Sequence, residues 1–220
     1  MAEVGVILCG AGRFDGSEIH ESTLTLLHLK RSGAKARCFA PDHKQWATCE
    51  HFEGKAMPDA PRNMLEEAAR IARGDVQPLA SAKAQDIDAL ILPGGSGAAL
   101  NLCDFARQGG NGEVLPDLAH LILQMHSQGK PIGGICIAPA ILALVLGRES
   151  PRLTLGGLDG PALEAGAAGA QMVECKVDEI VIDEVHNLIT TPAYILGPGI
   201  AEVDAGIEKL VHEVLARCAS

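Results

Sequence analysis

The stretch Lys130-Pro131-Ile132-Gly133-Gly134-Ile135-Cys136-Ile137-Ala138-Pro139 decides how the rest of this 220-residue chain is interpreted. Its apolar first half is typical of a buried strand, and an apolar helix is predicted over residues 138–146. Gly134 and Ala138 lie two positions before and two after Cys136, which is the thiol counterpart of the Gly-x-Ser-x-Gly pattern. The stretch therefore predicts a nucleophile elbow, a strained turn from strand to helix with Cys136 at its tip.

A cysteine at such a turn lies at the N-terminus of a helix, where free N–H groups and the helix dipole favour the thiolate. We therefore expect the pKa of Cys136 to lie below the ordinary value of about 8.5. The competing interpretation is that Cys136 is a small buried hydrophobe, as most free cysteines are. The coincidence of a strand, glycines, a helix and a second glycine-rich loop favours the elbow.

The pattern on both sides of the elbow predicts an α/β fold with a doubly wound, mostly parallel sheet and helices on both faces, which is a flavodoxin-like architecture. Besides the elbow strand, the predicted strands cover residues 3–9, 35–40, 87–92, 152–155, 173, 179–182 and 188–191. The predicted helices cover residues 18–31, 62–73, 98–106, 115–127, 138–146 and 200–217. Residues 41–61 are expected to be irregular, and residues 156–170 remain unassigned.

Composition limits the class of protein. The length favours one domain over residues 1–220, and 47% apolar but only 3% aromatic residues predict a core of Ala, Val, Ile and Leu. A net charge of −10 leaves no basic surface for phosphates, so we expect no nucleic-acid partner and no membrane association. Seven scattered cysteines without a Cys-x-x-Cys pair, and no signal-peptide pattern, predict a cytoplasmic protein with reduced thiols and no metal site.

Three predicted strands end in unusual residues, and ligands of doubly wound sheets bind at such carboxyl ends. The ends are Cys9-Gly10-Ala11-Gly12, Pro93-Gly94-Gly95-Ser96-Gly97 and the Cys136 elbow. Because glycines let backbone N–H groups approach a substrate oxygen, the loop with Gly94 and Gly95 and the N–H of Ile137 are predicted to form an oxyanion hole. A dinucleotide site is disfavoured, since Asp15 stands where the third glycine of that fingerprint belongs.

The first turn of the first predicted helix carries Glu18, His20 and Glu21. The i, i+3 spacing places the two glutamates on one side of that turn. They are either surface acids that complement the positive end of the helix, or one of them meets the Cys136 thiol at the same sheet edge. Spacing alone leaves both interpretations open. His20 neighbours both glutamates and is the histidine that we expect at the site.

Longer stretches of the chain resemble the class I glutamine amidotransferase-like superfamily, which includes PfpI-type proteases. Within it, the ElbB-type glyoxalases are similar over nearly the whole length. The stretches that carry the resemblance include Asp15-Gly16-Ser17-Glu18-Ile19-His20-Glu21, Cys38-Phe39-Ala40-Pro41-Asp42, Cys136-Ile137-Ala138-Pro139-Ala140 and Thr190-Thr191-Pro192-Ala193-Tyr194. The resemblance implies a glyoxalase that acts on a small aldehyde with no cofactor and no glutathione, a link by name to isoprenoid biosynthesis, and a homodimer.

The resemblance also implies roles for residues. Cys136 would attack an aldehyde of glyoxal, and Glu21, at the family's catalytic offset twelve residues before Gly33, would shuttle protons to yield glycolate. Glu18 is the second choice. The chain departs from glutaminases, which need a downstream His-x-Glu pair, and from the proteases, because Ile137 replaces a histidine. The alternative function is a redox-responsive regulatory or interaction protein in which Cys136 is oxidised. Cys9 is then either its resolving thiol or, as the favoured interpretation, a packed residue at the end of a strand.

Overall fold

A seven-stranded sheet forms the centre of the molecule in the computed structural model, which describes residues 1–218. The strands of this sheet and of two small two-stranded sheets, β3-β4 and β8-β9, are numbered together along the described residues. They are β1 (Glu3–Ile7), β2 (Lys35–Ala40), β3 (Cys49–Glu50), β4 (Lys55–Ala56), β5 (Val76–Pro78), β6 (Ala89–Leu92), β7 (Ile132–Ile135), β8 (Arg152–Leu153), β9 (Gln171–Met172), β10 (Val181–Asp183) and β11 (Leu188–Thr191). The main sheet has the order β10-β11-β7-β6-β1-β2-β5, and every pairing in it is parallel except β10 with β11. The predicted mostly parallel sheet is confirmed.

Helices cover both faces of this sheet, as predicted. They are α1 (Ile19–Arg31), α2 (Met64–Ala72), α3 (Phe105–Gln108), α4 (Pro116–Ser127), α5 (Pro139–Leu146), α6 (Pro161–Ala167) and α7 (Ile200–Arg217). Side chains of a strand alternate between faces, so Val4 and Val6 of β1 pack with Leu29 of α1 on one face. Ile7 packs with Leu118 of α4 on the other face.

Several boundaries differ from the predictions. Strand β5 was not predicted because it is a short edge strand that contains Pro78, and α6 lies in the unassigned segment. The predicted helix over residues 98–106 is wrong, because a π-helical turn, Ala98–Leu102, ends at the extended residue Cys103 before α3 begins. A small hairpin of β3 and β4 lies within the segment expected to be irregular.

The strand order reverses between β1 and β6. From β1 the chain continues outward to β2, whereas β6 and β7 lie on the opposite side of β1. The carboxyl ends of β1 and β6 therefore border the crevice where sheets of this type bind ligands. Cys136 follows β7, the next strand along, so the predicted site residues converge at this edge.

Candidate active site

The elbow at Cys136 forms as predicted. Strand β7 ends at Ile135, Cys136 has a φ of 59°, and α5 begins at Pro139. A positive φ is unfavourable for a residue with a Cβ, so the turn stores backbone strain at the thiol. The N–H of Cys136 donates to the carbonyl of Thr191 at 2.9 Å, which fixes the turn to the end of β11. Cys136 is 8% exposed, and that small surface faces a cavity.

Two backbone N–H groups point at the sulfur. They belong to Gly95 and Ile137, the pair predicted to form an oxyanion hole, and both hydrogen-bond to the Cys136 side chain. Gly95 has a φ of +98°, and a Cβ there would collide with the backbone nitrogen of Glu18. Only glycine brings the β6 loop this close to both Cys136 and the start of α1.

Glu21 is the carboxylate that reaches the thiol. It is fully buried and hydrogen-bonded to Cys136. Its Oε2 accepts the N–H of Gly94 at 3.0 Å, and its Oε1 accepts the N–H of Tyr194 at 3.3 Å. Of the two interpretations that spacing left open, contact with the thiol applies to Glu21. The other applies to Glu18, which caps the N-terminus of α1 by accepting the N–H of Glu21 at 2.9 Å.

The electrostatics of the pair differ from the expectation for the thiol. Burial raises the pKa of Glu21 to about 8, and the negative charge of Glu18 adds to the effect. Burial and the neighbouring Glu21 carboxylate also raise the pKa of Cys136 well above its ordinary value. The expectation of a lowered pKa is therefore wrong, since burial and the Glu21 carboxylate oppose ionisation of the thiol more than the two N–H groups favour it.

Gly94 serves the site in a different way from the one predicted. Its N–H is already donated to Glu21, so this donor holds the Glu21 carboxylate rather than an oxyanion. A Cβ at Gly94 would lie 2.5 Å from the Cβ of Cys136 and 2.8 Å from Oε2 of Glu21. The absence of a side chain at Gly94 is what allows the carboxylate and the thiol to meet.

Tyr194 is a site residue to which the sequence analysis assigned no role. Its N–H donates a hydrogen bond to Oε1 of Glu21. Its hydroxyl lies 2.7 Å from Nδ1 of His20, the histidine expected at the site. Neighbouring Ala193 has a φ of 43°, so a second strained residue follows β11, beside the elbow. The available signal was the turn after the buried strand at residues 188–191, which ends next to β7.

A cavity of about 920 Å³ opens above the thiol. Glu18, His20, Gly95, Cys136 and Ile137 all line it. The other lining residues are Arg13, Phe14, Ser96, Ala99, Phe105, Ala106, Gly160, Pro161, Glu164, Tyr194, Ile195, Gly197 and Pro198.

Residues 99, 105 and 106 help to shape this pocket, but its described lining contains none of residues 41–61, the segment expected to be irregular. That segment instead packs on the loop after β1, where the buried Asp15 accepts the N–H of Cys49 at 2.7 Å and its carbonyl accepts Nε2 of Gln45 at 2.6 Å.

Two further features concern metals and membranes. Within residues 1–218, no three His, Cys, Asp or Glu side chains are grouped so that they could hold a metal ion. In the same part of the chain, no helix has the length and apolar character needed to cross a membrane.

Comparison with known proteins identifies the family. The human glutamine amidotransferase-like class 1 domain-containing protein 3, mitochondrial, is 38% identical over 97% of this chain and 82% of its own length. The chain belongs to the glutamine amidotransferase-like class 1 domain family. The rat ES1 protein homolog, mitochondrial, is 37% identical over 97% of this chain and 83% of its own length. No protein-family model matches the chain.

Solved structures agree with the family assignment. An isoprenoid biosynthesis protein with an amidotransferase-like domain from Ehrlichia chaffeensis superposes with a TM-score of 0.90 at 31% identity, over 97% of this chain and 99% of that one. A DJ-1 superfamily protein from Salmonella typhimurium has a TM-score of 0.57 at 22% identity, over 100% of this chain and 93% of that one, and shares the fold alone. The resemblance to amidotransferase-like proteins is confirmed.

The expectation of a cytoplasmic protein is contradicted. The human relative and the rat and zebrafish ES1 proteins of this family are all named mitochondrial. Scattered free cysteines indicate a reducing compartment, and that argument does not separate the cytoplasm from other reducing compartments. The cysteine pattern was therefore too coarse a basis for the prediction.

Proposed function

We propose that the protein is a cofactor-independent glyoxalase that converts glyoxal to glycolate. The observation that carries the proposal is the buried pair of Glu21 and Cys136, with the N–H groups of Gly95 and Ile137 directed at the sulfur. A thiol nucleophile, an adjacent base and two backbone donors are the groups that addition to an aldehyde requires. All of them come from this chain.

The first step is addition of the thiol to one aldehyde. The Glu21 carboxylate takes the thiol proton as the sulfur–carbon bond forms, and the carbonyl oxygen accepts hydrogen bonds from Gly95 and Ile137. Return of the proton to that oxygen gives a hemithioacetal on Cys136. A raised pKa suits Glu21 to this exchange, because a base that titrates near the working pH both accepts and releases a proton readily.

The second step moves a proton between carbons. Glu21 removes the hydrogen from the carbon bonded to sulfur, which gives an enediol, and delivers a proton to the neighbouring carbon. The product is a thioester of glycolate on Cys136. Water cleaves the thioester, releases glycolate and restores the thiol. Glyoxal plus one water equals glycolic acid, so no oxidant or reductant is needed.

The redox alternative has less support. Oxidation by peroxide requires a thiolate, and burial and Glu21 raise the pKa of Cys136. Cys9, the suggested resolving thiol, is fully buried, and its Sγ lies 3.5 Å from Oγ of Ser17. Rapid oxidation of Cys136 by peroxide, measured by mass spectrometry in a protein without glyoxal turnover, would favour the alternative.

The deciding experiment measures glycolate formation from glyoxal by purified protein without glutathione or added metal. We expect turnover by the wild type and its loss in Cys136→Ala. Cys175→Ala is the matched control, because Cys175 is partly exposed and does not line the cavity. Equal rates in the wild type and Cys136→Ala, or no turnover by either, would contradict the proposal.

A further inference from the structure

The cavity above Cys136 is much larger than glyoxal. At roughly 30 Å³ for a molecule the size of water, the four heavy atoms of glyoxal occupy on the order of 120 Å³. The cavity measures about 920 Å³, which is within the range of pockets for substrates of many more atoms. Most of its wall therefore lies beyond the reach of glyoxal. The side chains of that wall indicate which chemical groups a longer substrate would carry.

Arg13 is the one lysine or arginine that lines this cavity within the described residues. Its guanidinium stacks on the ring of Phe14 at 4.2 Å and has no carboxylate partner among residues 1–218. A stacked guanidinium keeps its N–H edge available for a planar anion. The carboxylates of the wall are already hydrogen-bonded, Glu18 to the N–H of Glu21 and Glu164 to the N–H of Gly110 at 3.0 Å.

The backbone holds Arg13 close to the reacting sulfur. Its carbonyl accepts the N–H of Ser96 at 2.8 Å. Ser96 follows Gly95, whose N–H is hydrogen-bonded to the sulfur of Cys136. The Ser96 side chain is exposed to the same cavity, so its hydroxyl is a second donor on this wall. Arg13 and Ser96 thus face the space that the distal end of a substrate on Cys136 would fill.

We propose that Arg13 and Ser96 form an anion-binding subsite, and that the preferred substrates are 2-oxoaldehydes with a carboxylate or phosphate several bonds from the aldehyde. This inference rests on the proposed function and names its substrate class. The bond changes are those described for glyoxal, R–CO–CHO plus water giving R–CH(OH)–COOH. The anion takes no part in them, because its role is to orient the aldehyde carbon toward the sulfur.

The test compares kcat/KM for 4,5-dioxopentanoate and for its carboxamide, which has nearly the same shape without the charge. We expect the wild type to favour the acid about tenfold, a factor within the range of one charge-assisted contact. Arg13→Gln should abolish the preference, because kcat/KM for the acid falls to that for the carboxamide. Arg13→Lys, which keeps the charge but loses the planar fork, should retain part of it.

The matched control is Arg31→Gln, which removes the same charge from an exposed residue in the last turn of α1, outside the cavity. This variant should keep the wild-type preference. A phosphate-bearing 2-oxoaldehyde, 3-phosphonooxy-2-oxopropanal, shows which anion the subsite favours. Equal preference for the acid in the wild type and Arg13→Gln would overturn the inference while leaving the glyoxalase proposal intact.

A binding measurement tests the anion-binding subsite independently of turnover. In a Cys136→Ala background, calorimetry should show weaker binding of 4,5-dioxopentanoate when Arg13→Gln is added, and no change for the carboxamide. Absence of turnover by the wild type, together with this binding pattern, would contradict only the proposed reaction. Equal affinity for the acid with and without Arg13 would contradict the subsite, whether or not the protein turns over glyoxal.

Discussion

Among single residues, Glu21 has surroundings unlike those of an ordinary surface acid. It is fully buried, and both oxygens accept backbone N–H groups, from Gly94 and Tyr194. Those hydrogen bonds favour the charged form, yet burial and Glu18 outweigh them and raise the pKa of Glu21 to about 8. The residue is therefore a weak acid held rigidly beside a thiol, which suits proton transfer more than ion pairing.

The pH dependence of kcat/KM tests this arrangement. Glu21 must be ionised to accept the thiol proton, so kcat/KM for glyoxal should rise about tenfold per pH unit below the pKa of about 8 and level off above it. Glu21→Gln should remove the activity. Glu18→Gln should stay active and shift the rise to lower pH, because it removes a charge that raises the pKa of Glu21. An unshifted profile in Glu18→Gln would show that Glu18 does not influence the base.

The spacing in the sequence did not settle which of two glutamates contacts the thiol, and the resemblance ranked Glu21 before Glu18. The spacing of Glu18 and Glu21 places both on one side of a helical turn, and their roles depend on where that turn meets β6. The hydrogen bond from the N–H of Glu18 to the carbonyl of Gly94, at 2.9 Å, fixes this contact. Sequence spacing holds no information about such a long-range contact, which is also why the N–H of Tyr194 was not predicted.

Among the elements, the turn from β7 to α5 was the most predictable, because its signal is local. Glycines, a cysteine and an apolar helix within a few residues leave few alternatives. The segments that were not predicted are stabilised by contacts with other elements and carry little local signal. Strand β5 has Pro78 and gains its hydrogen bonds from β2, and α6 packs on α5 although its own sequence is mostly Ala and Gly.

The strain of the elbow gives a stability prediction. Cys136 has a φ of 59°, a conformation that costs about 1 kcal/mol or more for a residue with a Cβ and almost nothing for glycine. Cys136→Gly should therefore be more stable than Cys136→Ala by about 1 kcal/mol, the reverse of the usual order. Urea unfolding of the two variants measures this difference. Greater stability of Cys136→Ala would show that the turn is relaxed.

For the molecule as a whole, the buried Glu21 carboxyl lowers the stability of the fold as the pH rises above 4.5. The unfolded chain ionises Glu21 at its ordinary pKa of 4.5, whereas the folded chain keeps the proton up to about pH 8. Between those values the folded state binds the extra proton, so rising pH destabilises it. The effect is absent below pH 4.5 and complete above about pH 8.

Unfolding at several pH values measures this effect. The free energy of unfolding of the wild type, relative to Glu21→Gln, should fall with pH between 5 and 8 by up to about 1.4 kcal/mol per pH unit. Subtracting the variant cancels the other titrating groups, which both proteins share. A constant difference across this range would mean that Glu21 ionises normally in the folded protein and would remove the basis for its role as a base near pH 8.

Gly94 leaves a gap narrower than one methyl group between the thiol of Cys136, which follows β7, and the carboxylate of Glu21 on α1. Adding a single carbon there would press on both side chains and on the carbonyl of Ile135, 2.9 Å away, so the thiol and the carboxylate could meet only after the backbone had shifted. Under the proposed function, the chemistry of this fold therefore depends on a residue that has no side chain. A glycine at this position is the feature to look for before the same reaction is assigned to a relative.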